Sequence, residues 1–100
     1  MITIRAHLDD CAEDNAPLLI VPGSHRLGRV AATRAAEVAR EIGQAACLAE
    51  AGDLWIYATA IVHASERARH PRRRRVLHVD YANGPLPGGL EWVGVVDTVM

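Results

Sequence analysis

Three short stretches hold side chains suited to chemistry: His7-Leu8-Asp9, His63-Ala64-Ser65 and the run Arg72 to Arg75. An imidazole ligates a metal or moves a proton near neutral pH. A guanidinium is a permanent cation whose fork matches a carboxylate with two parallel hydrogen bonds. The segment from Gly52 to Tyr81 therefore offers an imidazole for a metal and a fixed cation for an acid. His63 lies on a turn just after one strand-like stretch, and Arg74 opens the next. The competing readings are plain ones. A lone histidine is often simply solvated, and an arginine run is usually a solvated face.

His7 and Asp9 stand two apart in a stretch with strand character, so both point to one face. With His63 they make two histidines and a carboxylate. Such a set leaves three positions free on a non-haem Fe(II). A 2-oxo acid takes two of these and O₂ the third. The alternative makes His7 and Asp9 ordinary residues of a polar strand face.

The elements that must position these groups follow from the pattern of apolar residues. Ile2, Ile4, Ala6 and Leu8 alternate with Thr3, Arg5, His7 and Asp9, the period of a half-buried strand. Leu18 to Val21 is a short continuous apolar run, expected to be a strand covered on both faces. Pro22-Gly23 ends it. From Arg29 to Ile42 the period changes, and Val30, Ala35, Val38, Ala39 and Ile42 fall near one helical face. Gly43 is a helix stop. Ala45 to Ala49 is a weaker strand candidate, Leu54 to Ala58 a clear one, and Arg74 to Tyr81 the most strand-like stretch. Thr59 to Pro71 is expected to be irregular apart from Ile61-Val62. Asn83 to Gly89 is a Gly- and Pro-rich loop, and Leu90 to Val96 an edge strand or packed tail. Five or six strands and one helix suggest an antiparallel sandwich or barrel with an inserted helix.

Composition narrows the function classes. One hundred residues, half of them apolar, make one small domain with a thin core. The net charge of −1 supplies no global field toward nucleic acid or membrane. The four adjacent arginines lack interleaved aromatics, so they make a weak nucleic-acid patch. No apolar run reaches the roughly 20 residues of a membrane span. Met1 to Arg5 has no charged leader followed by an apolar block. Cys11 and Cys47 are read as two reduced thiols of a cytoplasmic protein.

In chain order, Leu8-Asp9-Asp10, Asn15-Ala16-Pro17-Leu18, Val21-Pro22-Gly23-Ser24-His25-Arg26, Gly52-Asp53-Leu54-Trp55, His63-Ala64-Ser65 and Arg74-Arg75-Val76-Leu77 resemble the second half of a phytanoyl-CoA dioxygenase family protein. The family usually has Gly where this chain has Ala16 and Ala64. The resemblance implies a mainly β fold, a partial double-stranded β-helix of the jelly-roll or cupin kind with one inserted α-helix. It implies an Fe(II)- and 2-oxoglutarate-dependent oxygenase acting on a small-molecule substrate. His63 resembles the distal iron-ligand histidine, and Arg74 the arginine that grips the far carboxylate of 2-oxoglutarate. Ser65 resembles a hydroxyl contact to that carboxylate, and Arg5 a strand position facing the co-substrate pocket.

In the family the first metal-binding His-x-Asp stands upstream of the Leu-Asp-Asp strand. Here it would precede Met1, which makes the His7-Leu8-Asp9 match accidental. The resemblance thus implies that residues 1–100 form one domain matching the C-terminal part of the fold, with the upstream half missing. The alternative is a catalytically inactive β-rich remnant that acts as a homo-oligomerisation or interaction domain.

Overall fold

The alternating stretch at the start becomes β1 (Ile2–His7), the central strand of a three-stranded antiparallel sheet. A computed structural model describes residues 1–84 and 89–90. The partners of β1 are β4 (Leu54–Ala58) and β6 (Val76–Tyr81), both distant in sequence. The register sets Arg5 opposite Trp55 on one side and His78 on the other. A second antiparallel sheet has β2 (Leu18–Ile20) between β3 (Ala45–Ala46) and β5 (His63–Ser65). The chain passes from the first sheet to the second, back, across and back again. This is the interleaved order of a double-stranded β-helix, mainly β with one inserted helix.

β1 is half-buried as its alternation predicts, but the buried half is the polar one. Thr3 is 1% and His7 4% exposed, whereas Ile2 is 49% and Leu8 55% exposed. Period two tells the two faces apart without saying which one turns inward. The inner face is held by polar bonds: the Thr3 hydroxyl donates to Asp80 Oδ1 at 2.6 Å and meets the Thr59 hydroxyl at 2.8 Å. The outer face continues across the sheet in Leu54, Ile56, Leu77 and Tyr81, all exposed. Among the described residues the apolar core is correspondingly small, made of Cys11, Ala16, Val21, Val38, Cys47 and Ile61.

The inserted helix, α1 (Ala32–Ile42), begins three residues later than its apolar period suggests. A short 3-10 turn, Ser24–Leu27, capped by Gly28, precedes that stretch. Val38 is its buried residue, and Gly43 stops it with a left-handed φ of 95°. The expected strand at Ala45 to Ala49 shortens to β3, plus one bridge between Cys11 and Ala49. β2 keeps its centre but is only half-buried rather than covered on both faces. β5 corrects the expectation of an irregular segment: His63, Ala64 and Ser65 form a strand. Among the described residues no helix is long and apolar enough to cross a membrane. Apart from Leu90, the tail expected from Leu90 to Val96 lies outside the described residues, as does most of the loop before it.

Candidate active site

The arginine run is fastened by three side chains from the loop after β1. Asn15, 2% exposed, clamps the backbone of Arg72 from both sides. Its Oδ1 accepts from the Arg72 N–H at 3.2 Å, and its Nδ2 donates to the Arg72 carbonyl at 3.4 Å. The Asp14 carboxylate accepts from the Arg72 guanidinium at 2.6 and 3.4 Å, with His70 Nδ1 at 3.2 Å. The Asp9 carboxylate takes Arg75 through its backbone N–H at 2.8 Å, Nε at 2.9 Å and Nη2 at 3.1 Å. That pairing holds the Asp9 carboxyl down at about 2. Two of the four arginines thus face fixed carboxylates, which weakens the run further as a nucleic-acid patch.

Arg74, between them, reaches elsewhere. Its Nη1 donates to the carbonyl oxygen of Ala16, just ahead of β2. Ala16 has a left-handed φ of 50°, the non-glycine residue in that region among those described. That backbone conformation is one that glycine adopts without steric cost. Arg74 precedes β6 by two residues instead of opening it. Among the described residues its remaining guanidinium N–H groups have no hydrogen-bond partner.

His63 and Ser65 lie on one face of β5, two residues apart. Ile20 is the register partner of His63, and Leu18 that of Ser65. The Arg74 anchor at Ala16 is therefore at the Ser65 end of this strand pair. The Pro22-Gly23-Ser24 block sets the entry of β5. Gly23 takes a left-handed φ of 80°, and the fully buried Ser24 accepts the Val62 N–H at 2.8 Å. The His63 Nδ1–H donates to the Ile61 carbonyl at 2.8 Å, which leaves Nε2 as the basic nitrogen. A groove of about 700 Å³ lies between this sheet and the helix, lined by Leu19, Val21, His63 and Ala64 on one side and by Ala35 and Ala39 on the other.

Arg5 and His7 share the inner face of β1. Burial pushes the His7 imidazole below its ordinary value, and the Arg5 and Arg74 charges push the same way against Asp53. Burial likewise raises the Tyr57 phenol, with Arg5 pulling it back. Asp9, bound to Arg75, does not join His7. No group of three His, Cys, Asp or Glu side chains suited to a metal occurs among the described residues. The alternative set of His7, Asp9 and His63 is not assembled. His63 alone is one ligand of the three that a non-haem Fe(II) site needs, so the described residues do not fit the iron by themselves.

Asn15 and Ser24 are the positioning residues whose partners sequence patterns leave open. Asn15 and Ser24 stand inside conspicuous motifs, but their partners, Arg72 and Val62, are 57 and 38 residues away.

The family model described as Phytanoyl-CoA dioxygenase (PhyH) matches residues 1–76. The chain belongs to the phytanoyl-CoA dioxygenase family. Among solved structures it is similar to EctD from S. alaskensis with bound Fe, at 24% identity and a TM-score of 0.64. It is equally similar to the EctD apoform. EctD with 2-oxoglutarate and 5-hydroxyectoine matches at 25% identity and a TM-score of 0.64. These alignments cover 77% of this chain and 28–29% of EctD, so the chain spans less than a third of the length of these structures. No curated protein matches.

Proposed function

We propose that this chain forms the co-substrate-gripping part of an Fe(II)/2-oxoglutarate-dependent hydroxylase of the phytanoyl-CoA dioxygenase type, acting on a small-molecule substrate. The supporting observation is the anchoring of Arg74 on Ala16, at the Ser65 end of the β2–β5 pair. Arg74 takes the far carboxylate of 2-oxoglutarate through two charge-assisted bonds, and Ser65 adds a hydroxyl. Arg5 lies on the inner face of β1 in the first sheet, the position that the resemblance turns toward the co-substrate pocket. His63, with Nδ1 tied to Ile61, presents Nε2 as one iron ligand. The chain corresponds on this reading to the C-terminal part of the double-stranded β-helix, and the other ligands come from outside the described residues. Bound iron and 2-oxoglutarate supply O₂ activation and hydroxylation in such enzymes. Cys11 and Cys47 are free and buried, which fits a cytoplasmic setting.

Calorimetric titration of the chain with 2-oxoglutarate tests the grip. Binding is expected, with about tenfold or greater loss in Arg74→Gln. Equal affinity in that variant would overturn the assignment. Absence of succinate release under Fe(II) and O₂ would show that the chain alone is not an active hydroxylase.

One observation favours a second reading, an interaction domain without catalysis. Ile2, Leu54, Ile56, Leu77 and Tyr81 keep between 49% and 62% of their surface exposed on one sheet face. With Ile4 and Val79 between them they offer an area on the order of the 800 Å² per partner that a standard interface buries. A second copy of the chain, placing the same apolar face against itself, is the occupant this reading requires. Light scattering with Ile56→Glu checks it: a dimer that becomes a monomer supports pairing, and a monomeric parent chain ends it.

A further inference from the structure

We propose that Asn15 sets the direction of the Arg74 grip through the backbone of Arg72. Three consecutive residues of the loop before β2 hold the segment that leads into β6. The Asp14 carbonyl accepts the Arg69 and His70 N–H groups at 2.9 and 3.0 Å. The Asn15 side chain takes the Arg72 N–H at 3.2 Å and its carbonyl at 3.4 Å. The Ala16 carbonyl accepts from Arg74 Nη1. On the far side, the Arg75 N–H is bonded to Asp9 at 2.8 Å and its carbonyl to the Leu8 N–H at 3.0 Å. Arg74 thus stands between two anchored backbones. Asn15 is 2% exposed, so water does not replace its two bonds when they are lost. The Asp14–Arg72 ion pair stands in solvent, which screens it. The buried amide, not the ion pair, therefore fixes the path from Arg72 to Arg74.

The consequence falls on the guanidinium. With Nη1 on Ala16, the Nε and Nη2 edge is the two-pronged one left for a carboxylate. That edge keeps one direction only while both ends of the Nη1 bond stay in place. Ala16 follows Asn15 directly, and Arg74 lies two residues beyond Arg72, so one side chain ties the two ends together. Releasing it frees Arg74 to change rotamer, and a bound carboxylate must then order the side chain again. This role rests on Arg74 gripping the far carboxylate of 2-oxoglutarate.

The test uses the full chain, isotope-labelled. NMR follows the guanidinium protons of Arg74 without any acid, and calorimetry compares 2-oxoglutarate with 2-oxobutyrate, which lacks the far carboxylate. The parent is expected to show a slowly exchanging Arg74 guanidinium that Asn15→Ala abolishes. Asn15→Ala is expected to weaken 2-oxoglutarate about three- to tenfold and to leave 2-oxobutyrate unchanged. General destabilisation would weaken both acids alike. Asn15→Asp keeps the acceptor for the Arg72 N–H and is expected to fall between Asn15→Ala and the parent. Asp14→Asn, which touches only the exposed charge, is expected to stay within about twofold of the parent. A folded Asn15→Ala or Asn15→Asp chain with the parental preference for 2-oxoglutarate would overturn the role of Asn15 and leave the grip standing. A parent that binds both acids equally would end the grip, and this role with it. An Arg74 guanidinium that exchanges in the parent as fast as that of exposed Arg73 would overturn the proposal without any variant.

Discussion

Arg74 and Ala16 are joined across 58 residues by a hydrogen bond from the guanidinium Nη1 to the backbone carbonyl. The bond links the arginine run to the entry of β2, and it depends on a residue in left-handed conformation, φ 50°. That conformation aims the carbonyl at Arg74. A left-handed alanine costs about 1–2 kcal/mol relative to the ordinary regions.

Substitutions at Ala16 separate strain from packing. Ala16→Gly releases the strain but loses about 0.8 kcal/mol of buried methyl and about 0.4–1 kcal/mol through a freer unfolded chain. The two sides nearly cancel, so urea unfolding is expected to place this variant within about 0.5 kcal/mol of the parent. Ala16→Val puts a β-branched side chain at positive φ and is expected to cost about 1–3 kcal/mol. A valine variant as stable as the parent would show that the left-handed turn is dispensable.

Lysine in place of Arg74 keeps the charge and loses the fork. A bidentate grip on a carboxylate then becomes a point contact. Affinity for 2-oxoglutarate in Arg74→Lys is expected to fall about tenfold. Calorimetry showing parental affinity would mean that charge alone recruits the acid.

Ser24 is expected to matter through Val62. Removing its hydroxyl in Ser24→Ala leaves the Val62 N–H, now bonded at 2.8 Å, without a partner at the entry of β5. The cost is about 1–3 kcal/mol in unfolding free energy. Amide exchange at Val62 is expected to accelerate more than at Ile4 in the first sheet. Uniform acceleration would instead indicate general destabilisation.

Acid is expected to act in two steps. Burial, then Arg5 and Arg74, favour neutral His7, so its folded pKa lies below the unfolded 6.5. Its contribution is complete above 6.5 and declines as the pH falls below that value, because the unfolded chain binds the proton first. Asp9 is held at about 2 against an ordinary 3.8, chiefly by its side-chain bond to Arg75. Its contribution is complete above 3.8 and is lost as the pH falls toward about 2. Unfolding curves from pH 8 downward check this: His7→Gln removes the first decline, and Asp9→Asn lessens the second, which Asp14 and Asp80 share.

Much of the scaffold was legible in local pattern. Leu54 to Ala58 reads as a strand and is one, residue for residue. Ile42 and Gly43 end the helix where the apolar period stops. The ordered motifs from Leu8 to Leu77 point to the family that the model match then shows. β5 was not legible, because His63, Ala64 and Ser65 are exposed and too few to show a period. Their strand exists through register with β2 and through Ser24.

The sequence by itself determined most of the elements, the family and the residues able to meet an iron or an acid, since these follow from neighbouring side chains and short spacings. The tertiary structure alone decided which face of β1 turns inward, which two of the four arginines bind carboxylates, and that His7 parts company with Asp9. Those outcomes rest on contacts between residues about 40 to 75 positions apart, whose strength depends on distance and desolvation in the folded chain. No local period encodes them.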